Sequence, residues 1–366
     1  VLEEANLAGA RLDSSNFFGA DLRRANLEKA SLRRADLRGS CLRGANLIGA
    51  DLYEADLREG SIAEQDSRGN LRVLKHDLGP AEMGAALLHS ANLERARMSG
   101  AIAMQADFSD AVMKNCKLVR ANLRQAILTG ANLENADLSG CNLAGADLTG
   151  AILIGARMDL AVMDGADLAN ALTDANAGRT VEQLPVPIED ILQAHARWVK
   201  TDGREGQPAD LTGVDLRKLK TLAHRALTAL IAPAAVFYGL DLEGVSLQGS
   251  NLAGADLRDA KLGGADLRGV NLSHAKLGGA DLRDARMGPL LISAERVLPA
   301  RLDGAQARYA DFRGADLRRV EFRDADLSYA NLTGADLSEA DPSTAILSGT
   351  KLPPMIAENI AHASAG

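Results

Sequence analysis

The chain has 366 residues, enough for two domains, but only 3% are aromatic and 35 are glycine, which suits a narrow interior column rather than a broad globular core. Its formal net charge of −8 argues against a nucleic-acid-binding surface of the basic kind.

The first element has apolar residues at Leu2, Leu7, Leu12, Phe17 and Leu22, then every fifth position to Leu57 and Ile62, thirteen units without a slip. A period of five is neither that of a helix, 3.6, nor that of a strand, two. A small residue stands two places before each central one. Two inward residues separated by one outward residue make a very short extended piece, and the Gly, Asn and Asp around it let the chain turn sharply. Such a chain winds into a coil of short sides whose turns stack on one another. Val1 opens in register, which predicts coil-forming residues before it.

The pattern breaks after Ile62. A polar turn signal at 66–70 precedes Leu71, Arg72, Val73 and Leu74, and the beat returns at Leu78, Met83, Leu88 and Leu93 one residue out of phase. A one-residue shift is not expected to fit inside a coil, so a loop or small hairpin is predicted at 63–77, where a rigid scaffold would place a binding element. The second run continues through Met98, Phe108, Met113 and Leu118 to Leu168. It is most regular at 131–155, where Leu133, Leu138, Leu143 and Leu148 are central and Ala131, Ala136, Cys141 and Ala146 fill the small position.

Past residue 171 the pattern dissolves, and Pro185 and Pro187 mark a boundary. Over 187–200 the period becomes helical, with Ile188, Ile191, Leu192, His195, Trp198 and Val199 on one face. This amphipathic helix, in a linker at 179–208, is expected to cap the coils that follow, since an open solenoid end exposes core and strand edges. The third run, 209–352, slips by one residue near Leu219 and then holds 24 positions from Phe237 to Leu352. In it the atypical stretch around Pro289 and Pro299 keeps Ile292, Val297 and Leu302 on the beat and reads as degenerate coil. The tail, 353–366, carries Met355, Ile356 and Ile360 and is expected to cap the C-terminal end.

The motif A-(D/N)-L-x-x resembles the pentapeptide-repeat family over most of the chain. The resemblance implies an all-β solenoid, a right-handed quadrilateral β-helix with four units per coil, here in two segments, 1–178 and 209–352, with a short helical linker between them. Residues twenty apart would then lie above one another, about 4.8 Å per coil.

No reaction chemistry stands out. Asp137 with Asp147, or Asp256 with Asp266, could be read as acid and base, but these residues fill the outward position where the motif wants a turn-compatible side chain. The six histidines form no ligand spacing, Gly263-Gly264 and Gly278-Gly279 lack a phosphate-binding lysine, and neither catalytic, cofactor nor metal residues are expected. Cys116 and Cys141 replace the small inward residue and Cys41 an outward one, which suggests free thiols in a reducing cytoplasm, and no apolar run is long enough to span a membrane.

The candidate partner surface gathers the departures from the motif. Arg23 and Arg43 should stack, as should Arg38 and Arg58, with Arg33 beneath Tyr53; Arg68 lies in the loop. The weightier reading of these arginines is pairing with the neighbouring aspartates. Val112 with Ile152, and Ile102 with Val162, put apolar side chains outward on shared sides, and Trp198 is the one tryptophan. The expectation is a non-enzymatic scaffold that binds a protein partner through its β-helix walls, the loop at 63–77 and the central helix, with a homodimer as an alternative arrangement. The resemblance implies a second reading, DNA mimicry toward DNA gyrase or topoisomerase IV, without direct nucleic-acid binding; mild acidity and many arginines weaken it.

Overall fold

The structure, a computed structural model, describes residues 1–60, 62–65, 71–74, 79–175, 177–293 and 295–357. It divides into two compact units, Val1–Asn176 and Ala177–Gly366.

One unit of the repeat shows how its five positions make a side. The Leu27 N–H donates to the Asn46 carbonyl at 2.7 Å, and the Asn46 N–H returns to the Ala25 carbonyl at 2.9 Å. The Ala30 N–H closes the turn onto the Leu27 carbonyl at 3.0 Å, with Lys29 between them at φ 54°. Left-handed φ strains most side chains, which is why the repeat so often places glycine there, as at Gly49 with φ 63°. The outward Asn or Asp bends the chain at the corner through an Asx turn, as where the Asn46 side-chain oxygen accepts from the Ile48 N–H at 3.1 Å. Each side is thus only one bridge long.

In the first unit four interleaved ladders of parallel bridges run along the coils, and successive partners such as Asn6, Asn26 and Asn46 stand four repeats apart. The interior is a column of Leu, Met, Phe108 and Ala, with the Cys116 and Cys141 thiols buried in it. Burial pushes the Cys141 thiol up to about 12 and raises Cys116 as well. Cys41 bridges to Glu82, so the chain between them exceeds a full coil by four repeats and a single residue. Within that excess β1 (Ile62–Gln65) pairs antiparallel with β2 (Leu71–Leu74). Ile62, counted above as a central residue, therefore lies in this hairpin opposite Leu74, and Leu57 is the last core leucine before it. Arg68 and Leu78 lie outside the described residues.

The second unit opens with β3 (Arg179–Thr180), then α1 (Ile188–Lys200), then β4 (Val214–Asp215), which pairs parallel with β3. The helix starts just after Pro187 and buries Leu192 and His195. Leu192 joins the same core as Leu211, Leu216 and Phe237, with Ile188 and Ile191 packed against it, so the helix covers the leucine column of its unit. The Arg225 guanidinium grips Glu189 at 3.0 and 3.1 Å, tying the helix start to the coils.

Two expectations are overturned here. Asp215 bridges to Val236, one position further than a full coil, while Thr221 bridges to Asp241, a full coil away. The extra residue is taken up by a 3-10 turn, Arg217–Leu219, followed by Lys220 at φ 61°. A one-residue slip can therefore be absorbed within a coil. Later, Asn271 bridges to Arg301 and Arg286 to Asp316, in both cases two repeats further than a full coil. Those two repeats leave the ladder, with β5 (Leu290–Leu291) paired antiparallel to β6 (Val297–Leu298). Ile292 and Val297 are not core; they are 52% and 38% exposed. The hairpin folds onto two left-handed corners: a side chain on Gly269 would come within 2.8 Å of the Leu290 Cβ, and one on Gly249 within 3.5 Å of its methyl. In the tail Ile356 packs on the core and Met355 is exposed, while Ile360 lies outside the described residues.

Candidate interaction surfaces

The walls carry one recurring electrostatic device. In each Asp-Leu-Arg unit the arginine, two places past the aspartate, folds back onto it with two nitrogens. Arg23 holds Asp21 at 2.8 and 2.6 Å, Arg38 holds Asp36 at 2.8 and 2.6 Å, and Arg58 holds Asp56 at the same distances. The Arg23 hydrogen bond holds Asp21 down at about 2. At Asp56 burial opposes ionisation, yet the bonds from Arg58 leave it below the usual carboxylate range. These pairs are partly solvated and contribute little to stability; their effect is to neutralise the wall locally.

The expected stack of Arg23, Arg43, Arg38 and Arg58 is accordingly not a bare basic patch. Arg23 also reaches Glu3, and Arg33, with its guanidinium 4.6 Å above the Tyr53 ring, pairs with Asp51 at 2.7 Å. Arg43 is different. Cys41 stands where its aspartate would be, and Arg43 makes no ion pair among the described residues. The second unit repeats the device at Arg258 with Asp256, Arg283 with Asp281 and Arg318 with Asp316.

The outward apolar residues do share ladders as spaced. Val112 and Ile152 flank Asn132, while Ile102 is followed on its ladder by Asn122, Asn142 and Val162, so neither set forms a continuous strip. Ile152 is 3% exposed and unavailable to a partner, whereas Val162 is 42% exposed. Trp198 is half-buried, its ring stacked 5.7 Å from that of His195. His195 is enclosed: its Nδ1 accepts the Ala209 N–H at 3.0 Å, and its Nε2 has no hydrogen-bond partner among the described residues. Burial lowers its pKa from 6.5.

Sequence reasoning missed two exposed apolar features. One is the β5–β6 hairpin, with Leu291 67% exposed beside a cleft of about 450 Å³ lined by Val297, Arg319, Phe322 and Glu339. The other is Leu160, 92% exposed at φ 58°. Its signal was available: a leucine at the fifth position of a unit, where the repeat favours Gly or a polar residue.

The pentapeptide-repeat model matches eight copies, at residues 1–34, 30–61, 81–118, 106–145, 141–171, 250–288, 300–339 and 325–352, which together span more than half of the chain. No curated protein matches. Among solved structures, HetL, a pentapeptide repeat protein involved in heterocyst differentiation regulation from the cyanobacterium Nostoc sp. strain PCC 7120, is 24% identical over 89% of this chain and 88% of its own, with a TM-score of 0.21. Rfr23 from the cyanobacterium Cyanothece 51142 is 30% identical over 38% of this chain and 91% of its own, TM-score 0.21. QnrB1, a plasmid-mediated fluoroquinolone resistance protein, is 14% identical over 88% of this chain and 96% of its own, TM-score 0.28. The chain belongs to the pentapeptide-repeat family, whose fold is a right-handed β-helix.

Proposed function

We propose that this protein is a cytoplasmic, non-enzymatic scaffold: two right-handed quadrilateral β-helical segments whose insertions, rather than their walls, bind a protein partner. The observation that carries the reading is the contrast between self-neutralised Asp-Leu-Arg walls and the hairpin that exposes Leu291 and Ile292. Apolar side chains held out on a hairpin are a recurrent mark of a protein contact. The antiparallel pair of β1 and β2 supplies a second insertion, in the first unit.

Removal of residues 289–298 tests it. That segment is two full periods long, so the deletion should leave the ladder from Arg286 to Asp316 in register. The expected result is a folded protein that no longer captures the partner held by the intact chain; capture unchanged by this deletion and by deletion of 65–75 would refute the reading.

The second reading, a DNA-mimicking binder of DNA gyrase or topoisomerase IV, calls for a continuous negative stripe. One ladder of the first unit comes nearest, with Asp107, Asp147 and Asp167, but Ile127 interrupts it. A supercoiling assay decides: no effect on the enzyme and no rescue from its inhibitors would remove this reading.

A further inference from the structure

The Asp-Leu-Arg device is missing from one stretch of the first unit's wall. The ladder that carries Asp36 and Asp56 continues through Arg97 and Lys117 to Asp137. Arg97 and Lys117 therefore stand on adjacent coils, about 4.8 Å apart, and neither has an aspartate two places from it. Like charges set side by side on a ladder cost stability.

The carboxylates nearby are already engaged. Asp56 is held by Arg58 at 2.8 and 2.6 Å, and Arg97 reaches it only at 4.0 Å. Glu54 is shared by Arg34 at 2.9 Å and Arg95 at 3.7 Å. Asp137 accepts from the Ser139 hydroxyl at 2.6 Å and is reached by Arg157 at 3.9 Å. Lys117 makes no ion pair among the described residues. Arg120, at the end of the same side, and Arg124, past the next corner, are exposed and likewise without an ion pair among the described residues.

A groove of about 600 Å³ gives this charge a shape. Arg34, Arg95, Arg97 and Lys117 line it with Glu54 and Asp56. It crosses four successive coils, from Asp36 to Lys117, roughly 14 Å, the length of about four extended residues. We propose that it receives a short acidic peptide segment of a protein partner, whose carboxylates settle on Arg97, Lys117 and Arg120. Cations with no carboxylate of their own are the ones free to take another, and a charged cleft concentrates ligands of opposite sign. A long polyanion such as nucleic acid fits less well, because the ladder runs on into Asp137 and the chain carries a net charge of −8. This contact is additional to those assigned to the insertions and does not rest on them.

Fluorescence anisotropy of a dye-labelled octapeptide of alternating Asp and Glu, mixed with the full chain, is the test. Saturable binding that salt weakens is expected, reduced about tenfold or more by Lys117→Glu combined with Arg120→Glu. Glutamate already occupies both kinds of position, outward at Glu82 and at φ 57° in Glu54, so these changes suit the backbone. Should circular dichroism show a fold defect, Lys117→Gln with Arg120→Gln serves instead and must also weaken binding. Arg283→Gln, on the paired wall of the second unit, should leave binding unchanged. So should removal of 289–298, which separates failure of this proposal from failure of the hairpin reading. No binding, binding indifferent to the changes at 117 and 120, equal weakening by Arg283→Gln, or tighter binding of a thymidine oligonucleotide of the same charge would each overturn the proposal.

Discussion

Helix α1 buries Leu192 and His195 over the first coils of the second unit, whereas the last coil of the first unit leaves Val162 and Leu168 exposed. Both ends terminate a column of leucine and alanine built by the same repeat. The capped end satisfies its edge within the unit: β3 pairs with β4, the Ala209 N–H finds His195, and Glu189 finds Arg225. At the other end the Met158, Met163 and Leu168 N–H groups have no backbone acceptor among the described residues. A solenoid core grows in one dimension, so its two ends are the only places where it is incomplete, and how each is closed determines what the unit does next.

The largest expected effect separates the two ends by equivalent substitutions. Leu192→Ala at the cap should destabilise the second unit by about 2–5 kcal/mol, while Met163→Ala at the half-buried open end should cost about 1 kcal/mol or less. Urea unfolding measures both, and equal losses would erase the distinction. Next comes Gly206, at φ 79°, where a Cβ would collide with the Ala194 carbonyl oxygen of α1. Gly206→Ala should therefore loosen the cap by roughly 1–3 kcal/mol without touching the coils. An unchanged melting temperature would show that this loop does not brace the helix.

A smaller, pH-dependent effect sharpens the same contrast. Burial disfavours the imidazolium at His195 and lowers its folded pKa below 6.5. Its contribution is thus complete above about 6.5 and is lost as pH falls through the lower folded value, because the unfolded chain takes the proton first. Protonation would also take the Nδ1 lone pair from the Ala209 N–H. Trp198, the one tryptophan, stacks on this ring and reports the change. Its emission should shift with acid below about pH 6.5, and the shift should vanish in His195→Gln; an identical titration in that variant would exclude His195 as the cause.

The sequence displayed insertions according to arithmetic rather than size. The insertion before Glu82 exceeds four periods by a single residue, so the beat fell out of phase and a hairpin could be anticipated. The insertion before Arg301 is two whole periods, so Ile292 and Val297 stayed on the beat while leaving the core. Pro289 and Pro299 were the visible signs, and only the bridges between coils could interpret them. The one-residue slip at Arg217–Leu219 shows the converse: a phase change that a tight turn absorbs with no projection. The arginines were legible as pairs, because an aspartate two places earlier puts the carboxylate within reach of the same side. The unpaired groups of the last coil were not legible, since Met158, Met163 and Leu168 keep the motif and differ only in having no backbone acceptor among the described residues.

Amide hydrogen exchange followed by mass spectrometry tests the central contrast most directly. Rapid exchange is expected at Met158, Met163 and Leu168, whose N–H groups have no backbone acceptor among the described residues, and slow exchange at Leu211 and Leu216, whose N–H groups are bonded at 2.7 and 2.9 Å beneath the cap. Equal protection of the two sets, or faster exchange beneath α1, would contradict the account of one closed end and one open end.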